Sequence, residues 1–226
     1  GVMIEPFSCA LHSVMRNRPR NEDTVLIVGA GTIGICVVAA IRALDIACNI
    51  VVLSKYDVQT RLALRYGADK VIRLCGKGLG STYYETAEAL KAKVLKPVIG
   101  PPVILGGADM VFECVGNSHS VGDALRFARS GGKVVLLGLA GILDRIDWTT
   151  VWLNELDVKG SFAYGTEEFN GRRMKTMEVA IELMKLGKVD LSPLVTHRFP
   201  LANYKEAFAT LVNKGKEACM KAVFEP

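Results

Sequence analysis

The chain has 226 residues, half of them hydrophobic, and a formal net charge of +5 at pH 7. That length allows one large domain, or one domain plus part of another, with enough apolar material for a substantial core. Its 28 lysines and arginines are scattered, not run together, which speaks for solvated surface and excludes a nucleic-acid footprint.

The opening stretch GVMIEPFSCALHSVMRNRPR has no basic start followed by an apolar core, so it does not read as a signal peptide. Residues 24–41 carry no charge over 18 positions, but three glycines and their turn chemistry interrupt them, which excludes a membrane span. TVLIV (24–28) is a continuous apolar run suited to a strand buried on both faces of a parallel sheet. Helical spacing follows over 32–45, then a second buried strand, NIVVLS, over 49–54. Asp57 is placed to cap the next helix, which Gly67 closes. KVIRL (70–74) gives a third strand, residues 108–116 a fourth, 131–141 a fifth and 156–164 a sixth. Between the fourth and fifth lies a helix over 118–129, closed by Gly131-Gly132. Residues 76–107 hold a helical piece and a proline-glycine loop to which no chemistry is assigned.

Strand and helix in alternation, with β-branched strands, predict right-handed crossovers and an α/β, doubly wound parallel sheet, the Rossmann fold. Beyond Gly165 the pattern changes: a long helix over 171–186, a strand at 194–200, a helix at 203–213 and a last strand at 219–225. This tail need not belong to the sheet. Six cysteines, at 9, 36, 48, 75, 114 and 219, include no C-x-x-C pair, so neither a zinc ribbon nor a redox pair is indicated. They read as buried free thiols of a reducing, cytoplasmic setting.

Gly29-x-Gly31-x-x-Gly34 follows a predicted strand and opens a predicted helix. In that context it reads as a dinucleotide-binding turn. Gly29 permits the tight turn, Gly31 lets the backbone approach a pyrophosphate, and Gly34 lets the helix lie close to the strand. Thr32 and Ile33 begin the helix whose free N–H groups and dipole would hold the anion. About 20 positions on, where a binder of NAD places an acid, stand Ser54 and Lys55. Ser54 cannot repel a 2′-phosphate, its hydroxyl can donate to one, and Lys55 adds a positive charge. Tyr56 is positioned to lie beside the adenine. The spacing therefore favours NADP over NAD.

The order and spacing of EPFSCALH (5–12), VGAGTIG (28–34), RYGADKVI (65–72), GADMVFECVG (107–116), RSGGKVVLLGLAG (129–141), DVKGSFAYG (157–165) and the ending LVTHRFPLANYKEAF…MKAVF resemble the medium-chain dehydrogenase/reductase family, the zinc-type alcohol and polyol dehydrogenases. The resemblance covers nearly the whole chain. It implies that Ile33 lies behind the nicotinamide. Cys114, Val115 and Gly116 would line the cofactor crevice, and Leu137, Gly138 and Leu139 would take the carboxamide with backbone groups. Ser161, Phe162 and Ala163 would complete that wall, and Lys221 would face the pyrophosphate. A small residue followed by a basic one, as in Ser54-Lys55, matches family members that use NADP.

The same resemblance implies a catalytic domain whose main body is missing here, together with its zinc ligands. Residues 1–20 would lead out of that domain, 21–170 would bind the dinucleotide, and 171–226 would return to it. Glu5 is the one residue left that sits at or near the zinc in some relatives; a single carboxylate cannot hold a zinc needing three protein ligands. His12, His119 and His197 are not spaced as ligands and read as structural histidines. No catalytic residue is therefore expected in this chain, and zinc only in a full-length parent. The expected function is the cofactor-binding part of an alcohol dehydrogenase acting on a small alcohol or carbonyl substrate, with no nucleic-acid or membrane partner. The alternatives are a zinc-free quinone or enoyl reductase of the same superfamily, or a non-catalytic nucleotide-binding module. Residues 142–158, with Trp148, Val151, Trp152 and Leu153 near the last strand, suggest a homodimer or tetramer joined through the sheet edge.

Overall fold

The computed structural model describes residues 1–74, 79–96 and 102–225. In chain order the elements are α1 (Ile4–Arg16), β1 (Thr24–Val28), α2 (Thr32–Ala43), β2 (Asn49–Ser54), α3 (Asp57–Arg65), β3 (Lys70–Arg73) and α4 (Leu79–Ala89). Then come β4 (Lys93–Leu95), β5 (Val103–Leu105), β6 (Ala108–Glu113), α5 (Ser118–Phe127), β7 (Ala128–Leu136), α6 (Thr149–Leu153) and β8 (Asp157–Gly160). The last are β9 (Thr166–Phe169), β10 (Arg172–Lys175), α7 (Thr176–Lys185), β11 (Val195–Pro200), α8 (Tyr204–Val212) and β12 (Lys221–Glu225).

Six strands form one parallel sheet in the order β3-β2-β1-β6-β7-β8. This is the doubly wound α/β Rossmann arrangement anticipated from the sequence. The winding direction reverses between β1 and β6, and a crevice opens there beyond the carboxyl ends of the strands. Both faces of the sheet are buried. Val25 and Ile27 of β1 join one core with Phe7, Leu11, Ile35, Ile41 and Phe112, while Leu26 and Val28 join the other with Leu125, Phe127 and Val134. That period-2 division between two apolar layers explains why the strands read as continuous hydrophobic runs.

Helix α1 presents Phe7, Ala10, Leu11 and Val14 at helical spacing, all fully buried against the α2 and α7 layer. The inner face of α1 is thus part of this core. Three local expectations are corrected. The helix over 118–129 stops at Phe127, and β7 extends through Gly131-Gly132, where its register with β6 shifts: Ala108 pairs with Ala128 but Met110 with Lys133, a bulge that Gly131 at φ +67° accommodates. The long helix expected from 171 begins only at Thr176; ahead of it β9 and β10 pair as an antiparallel hairpin. Its turn is Asn170-Gly171, with φ of 50° and 71°, the left-handed pair that a tight hairpin requires. Part of the loop assigned within 76–107 is also strand, since β5 pairs antiparallel with β4; residues 97–101 of that loop lie outside the described residues. The tail stays off the main sheet: β11 and β12 form a separate parallel pair, with an Arg198–Glu225 ion pair at its end.

Candidate functional site: a nucleotide crevice at the switch point

The three glycines of the first turn answer to different physical demands. Gly29 has φ +100°, a conformation that disfavours any side chain, and a Cβ there would also run into Val115. A Cβ on Gly34 would overlap the carbonyl oxygen of Gly29, so α2 can lie against the turn only without one. Gly31 is different. It caps α2 with φ −73° and ψ −173°, extended backbone open to any residue, and a Cβ built on it meets nothing within 4 Å. Neither conformation nor protein packing requires glycine at that position. The open space lies at the amino end of a 12-residue helix with no side-chain cap and no acid in its first turn. Free N–H groups and the positive end of the helix dipole at such a place suit an anion. The cradle fits a dinucleotide's pyrophosphate.

The facing wall comes from the ends of β6 and β7, and Glu113 organises it. Its side chain is fully buried. One carboxylate oxygen accepts the N–H groups of Val115 and Gly116, both at 2.8 Å. Its backbone carbonyl accepts those of Leu137 and Gly138, at 2.8 and 2.9 Å. Cys114 is tied to the glycine turn through its own N–H, which donates to the Val28 carbonyl at 2.9 Å. Gly116, at φ +84°, comes so close to the next loop that a Cβ would stand 2.5 Å from the Leu139 nitrogen. Leu139 itself is 91% exposed, as is Phe162 at 87%; Ser161 continues from β8 with its N–H on the Leu136 carbonyl, and Ala163 has φ +50°. These residues follow the carboxyl ends of three neighbouring strands, β6, β7 and β8.

At the adenosine end the placement departs from expectation. The Ser54 side chain is 1% exposed, and its hydroxyl is paired with that of Thr60 at 2.7 Å. It is not presented to a phosphate. Asp57 is not the cap of α3: Tyr56 holds that position, and Gln59 reaches back to accept the N–H groups of Lys55 and Tyr56 at 2.9 and 3.1 Å. Asp57 instead pairs with Arg73 at 2.5 Å. The Lys55 side chain is exposed, with its ammonium 5.6 Å from the centre of the Tyr56 ring. Lys221, at the start of β12, lies within electrostatic reach of Cys36 in the first turns of α2. It also lines a cleft of about 820 Å³ that runs from Met3 past Leu191 and Val195 to Phe224.

Among the described residues no three His, Cys, Asp or Glu side chains converge as a metal site. Glu5 is exposed and accepts from the Cys9 thiol at 3.3 Å. His12 Nδ1 meets Glu167 at 2.5 Å, and Thr176 donates to the same carboxylate oxygen at 2.9 Å, so that half-buried histidine is a strut between α1, β9 and α7. These residues do not fit a zinc ion. The described cysteines are free thiols. Burial pushes Cys9 and Cys48 up to about 11 and Cys36 up to about 12, and lifts Cys114 as well, which leaves none of them a ready thiolate. Among the described residues no helix is long and apolar enough to cross a membrane.

Glu113, Gln59 and Thr60 were not anticipated. Glu113 carried a signal, a single acid in the apolar run MVFECVG. An ionisable group buried on a strand needs partners, and the nearest are the N–H groups of the turn that follows it.

Comparison with known proteins agrees with this geometry. Residues 32–178 match the family described as zinc-binding dehydrogenase. L-idonate 5-dehydrogenase from Vitis vinifera is 33% identical over 217 residues, covering 95% of this chain and 53% of that protein. The chain thus spans about half the length of the curated relatives it matches. Among solved structures, a short chain alcohol dehydrogenase from E. coli CFT073 complexed with NADH superposes with a TM-score of 0.75 at 22% identity, over 100% of this chain and 58% of that one. A zinc-binding dehydrogenase from Sinorhizobium meliloti 1021 bound to NADP superposes with a TM-score of 0.72 at 25% identity, over 99% and 58%. With a family match over most of its length and a relative of this identity over nearly all of it, the chain belongs to the zinc-binding dehydrogenase family.

Proposed function

We propose that this chain is the nucleotide-binding part of a dehydrogenase that moves a hydride between NAD(P)(H) and a small alcohol or carbonyl compound. The observation that carries the reading is the open space over Gly31, left beside uncapped helix N–H groups where nothing in the protein demands a glycine. The pyrophosphate is held there by backbone donors and the α2 dipole, with Lys221 adding charge. The nicotinamide lies between Ile33, the 114–116 turn and the 137–139 loop. Backbone groups of Leu137, Gly138 and Leu139 orient its carboxamide, and Ser161, Phe162 and Ala163 close the far side. The cofactor supplies the hydride chemistry; these residues fix its plane and shield it from water. Among the described residues no metal ligand set converges, and on this reading the remainder of a full-length parent takes up the substrate and any zinc.

NADP is preferred over NAD on this reading. The end of β2 carries Ser54 in place of an acid, and the exposed carboxylate that follows, Asp57, is paired with Arg73. The sheet edge supports the partner expectation: β8 has a strand on one side only among the described residues, and Trp148, Trp152 and Leu153 beside it are 53%, 69% and 62% exposed. We read it as a self-association surface.

Calorimetric titration with NADP⁺ and NAD⁺ tests the function. Binding by the unaltered chain and its loss in Gly31→Val is the expected result; binding that survives Gly31→Val would sink the assignment.

A further inference from the structure

The end of β2 is less available than its sequence implies. The Ser54 hydroxyl is spent on Thr60, the N–H groups of Lys55 and Tyr56 on Gln59, and Asp57 on Arg73. What remains is the Lys55 ammonium and the Tyr56 ring. A second segment lies against that ring. A Cβ built on Gly215 would collide with the edge of the Tyr56 ring, 2.7 Å from Cδ1. Gly215 is not in the left-handed region, so only this close approach asks for glycine.

The turn around Gly215 is ordered by its own backbone. Lys216 and Glu217 donate their N–H groups to the Asn213 carbonyl at 2.9 and 3.1 Å, and the N–H of buried Cys219 closes on the Lys214 carbonyl at 2.9 Å. Its flanking residues Lys214 and Lys216 are exposed, and among the described residues neither pairs with a carboxylate. Two segments far apart in sequence therefore meet at one tyrosine at the end of β2, with Lys55 beside it on one and Lys214 and Lys216 flanking the close-lying glycine of the other. Like charges gathered on a surface repel unless an anion joins them. A 2′-phosphate is a dianion near neutral pH, whereas the ribose hydroxyl it replaces is neutral.

We infer that the 213–218 turn is a wall of the adenosine site, and that Lys214 and Lys216 join Lys55 in taking the 2′-phosphate of NADP(H). This deepens the cofactor reading above and rests on it. The glycine lets the turn approach Tyr56 closely enough for the flanking lysines to border the ribose. Selectivity then comes from the tail as well as from the end of β2.

The test is calorimetric titration of the 226-residue chain with NADP⁺ and with NAD⁺, repeated on the double variant Lys214→Ala/Lys216→Ala. Both lysines are exposed, so the midpoint of thermal unfolding should not move. Affinity for NADP⁺ should fall about tenfold or more, the loss of one or two charge-assisted contacts, while affinity for NAD⁺ changes less than about twofold. Unchanged NADP⁺ affinity, or an equal fall for both cofactors, overturns the inference and leaves the cofactor reading standing. An unaltered chain that already binds NAD⁺ as tightly as NADP⁺ overturns the cofactor reading itself, and this inference with it.

Discussion

Glu113 and Gly138 meet within one wall of the crevice: a Cβ on Gly138 would stand 2.6 Å from the second carboxylate oxygen of Glu113 and would overlap the Gly116 nitrogen. That oxygen is buried and has no hydrogen-bond partner among the described residues, and the close approach leaves no room for a methyl group. Gly138→Ala should force the 114–116 turn and the 137–139 loop apart. Overpacking of this kind costs about 1–3 kcal/mol, and about 2–4 °C of melting temperature per kcal/mol in a chain of this size. Nucleotide affinity should fall with it, because the displaced loop is the one assigned to the carboxamide. A melting temperature within one degree of the unaltered chain would contradict the contact.

Gly31 and Gly34 should separate binding from folding. Gly34→Ala places a methyl group on the Gly29 carbonyl and should destabilise by about 1–3 kcal/mol. A Cβ on Gly31 meets nothing within 4 Å, so the thermal midpoint of Gly31→Val should shift less than that of Gly34→Ala although nucleotide binding should be lost. Equal destabilisation in the two variants, read by thermal melts without ligand, would mean that the space over Gly31 is not open.

Asp109 should govern part of the acid limb of stability. Burial raises its pKa, but the Thr24 N–H at 2.7 Å and the Arg129 guanidinium at 2.6 Å outweigh that, and the net direction is down. A carboxylate with a depressed folded pKa stabilises above its unfolded value, near about 4, and the benefit is lost as pH falls through the folded value. Asp109→Asn should therefore be less stable than the unaltered chain by about 1–3 kcal/mol at neutral pH, with the gap closing below about pH 4. Urea melts from pH 3 to pH 7 would check it; a gap that stays constant across that range would contradict it.

Trp152→Glu at the edge beside β8 should weaken self-association. The side chain is 69% exposed and packs little within its own chain. Sedimentation at micromolar concentration should show the unaltered chain heavier than 24.5 kDa and the variant closer to it. A clean monomer for both would dispose of the interface.

Much of this fold was legible because its signals are local. The apolar runs at 24–28 and 49–54 can be buried on both faces only inside a sheet, and the glycine turn between strand and helix fixes where the crevice opens. The β9–β10 hairpin carried an equally local signal in Asn170-Gly171, overlooked beside the helical periodicity that follows. What escaped depends on side chains meeting at a distance. Nothing in the spacing of Ser54 tells that a hydroxyl six residues on will turn it inward. Nor could it show that a tail glycine would lie on Tyr56.

The strut from His12 to Glu167 also orders events in time. Its partners are separated by 155 residues, and Thr176 completes it. At a synthesis rate of about 5–20 residues per second, α1 leaves the ribosome roughly 8–30 seconds before that partner exists. Through that interval Phe7, Leu11 and Val14 have α2 to cover them but not α7. Helix α1 is therefore made well before it is locked in place. A nascent chain halted before residue 167 would expose an apolar face that a chaperone can hold.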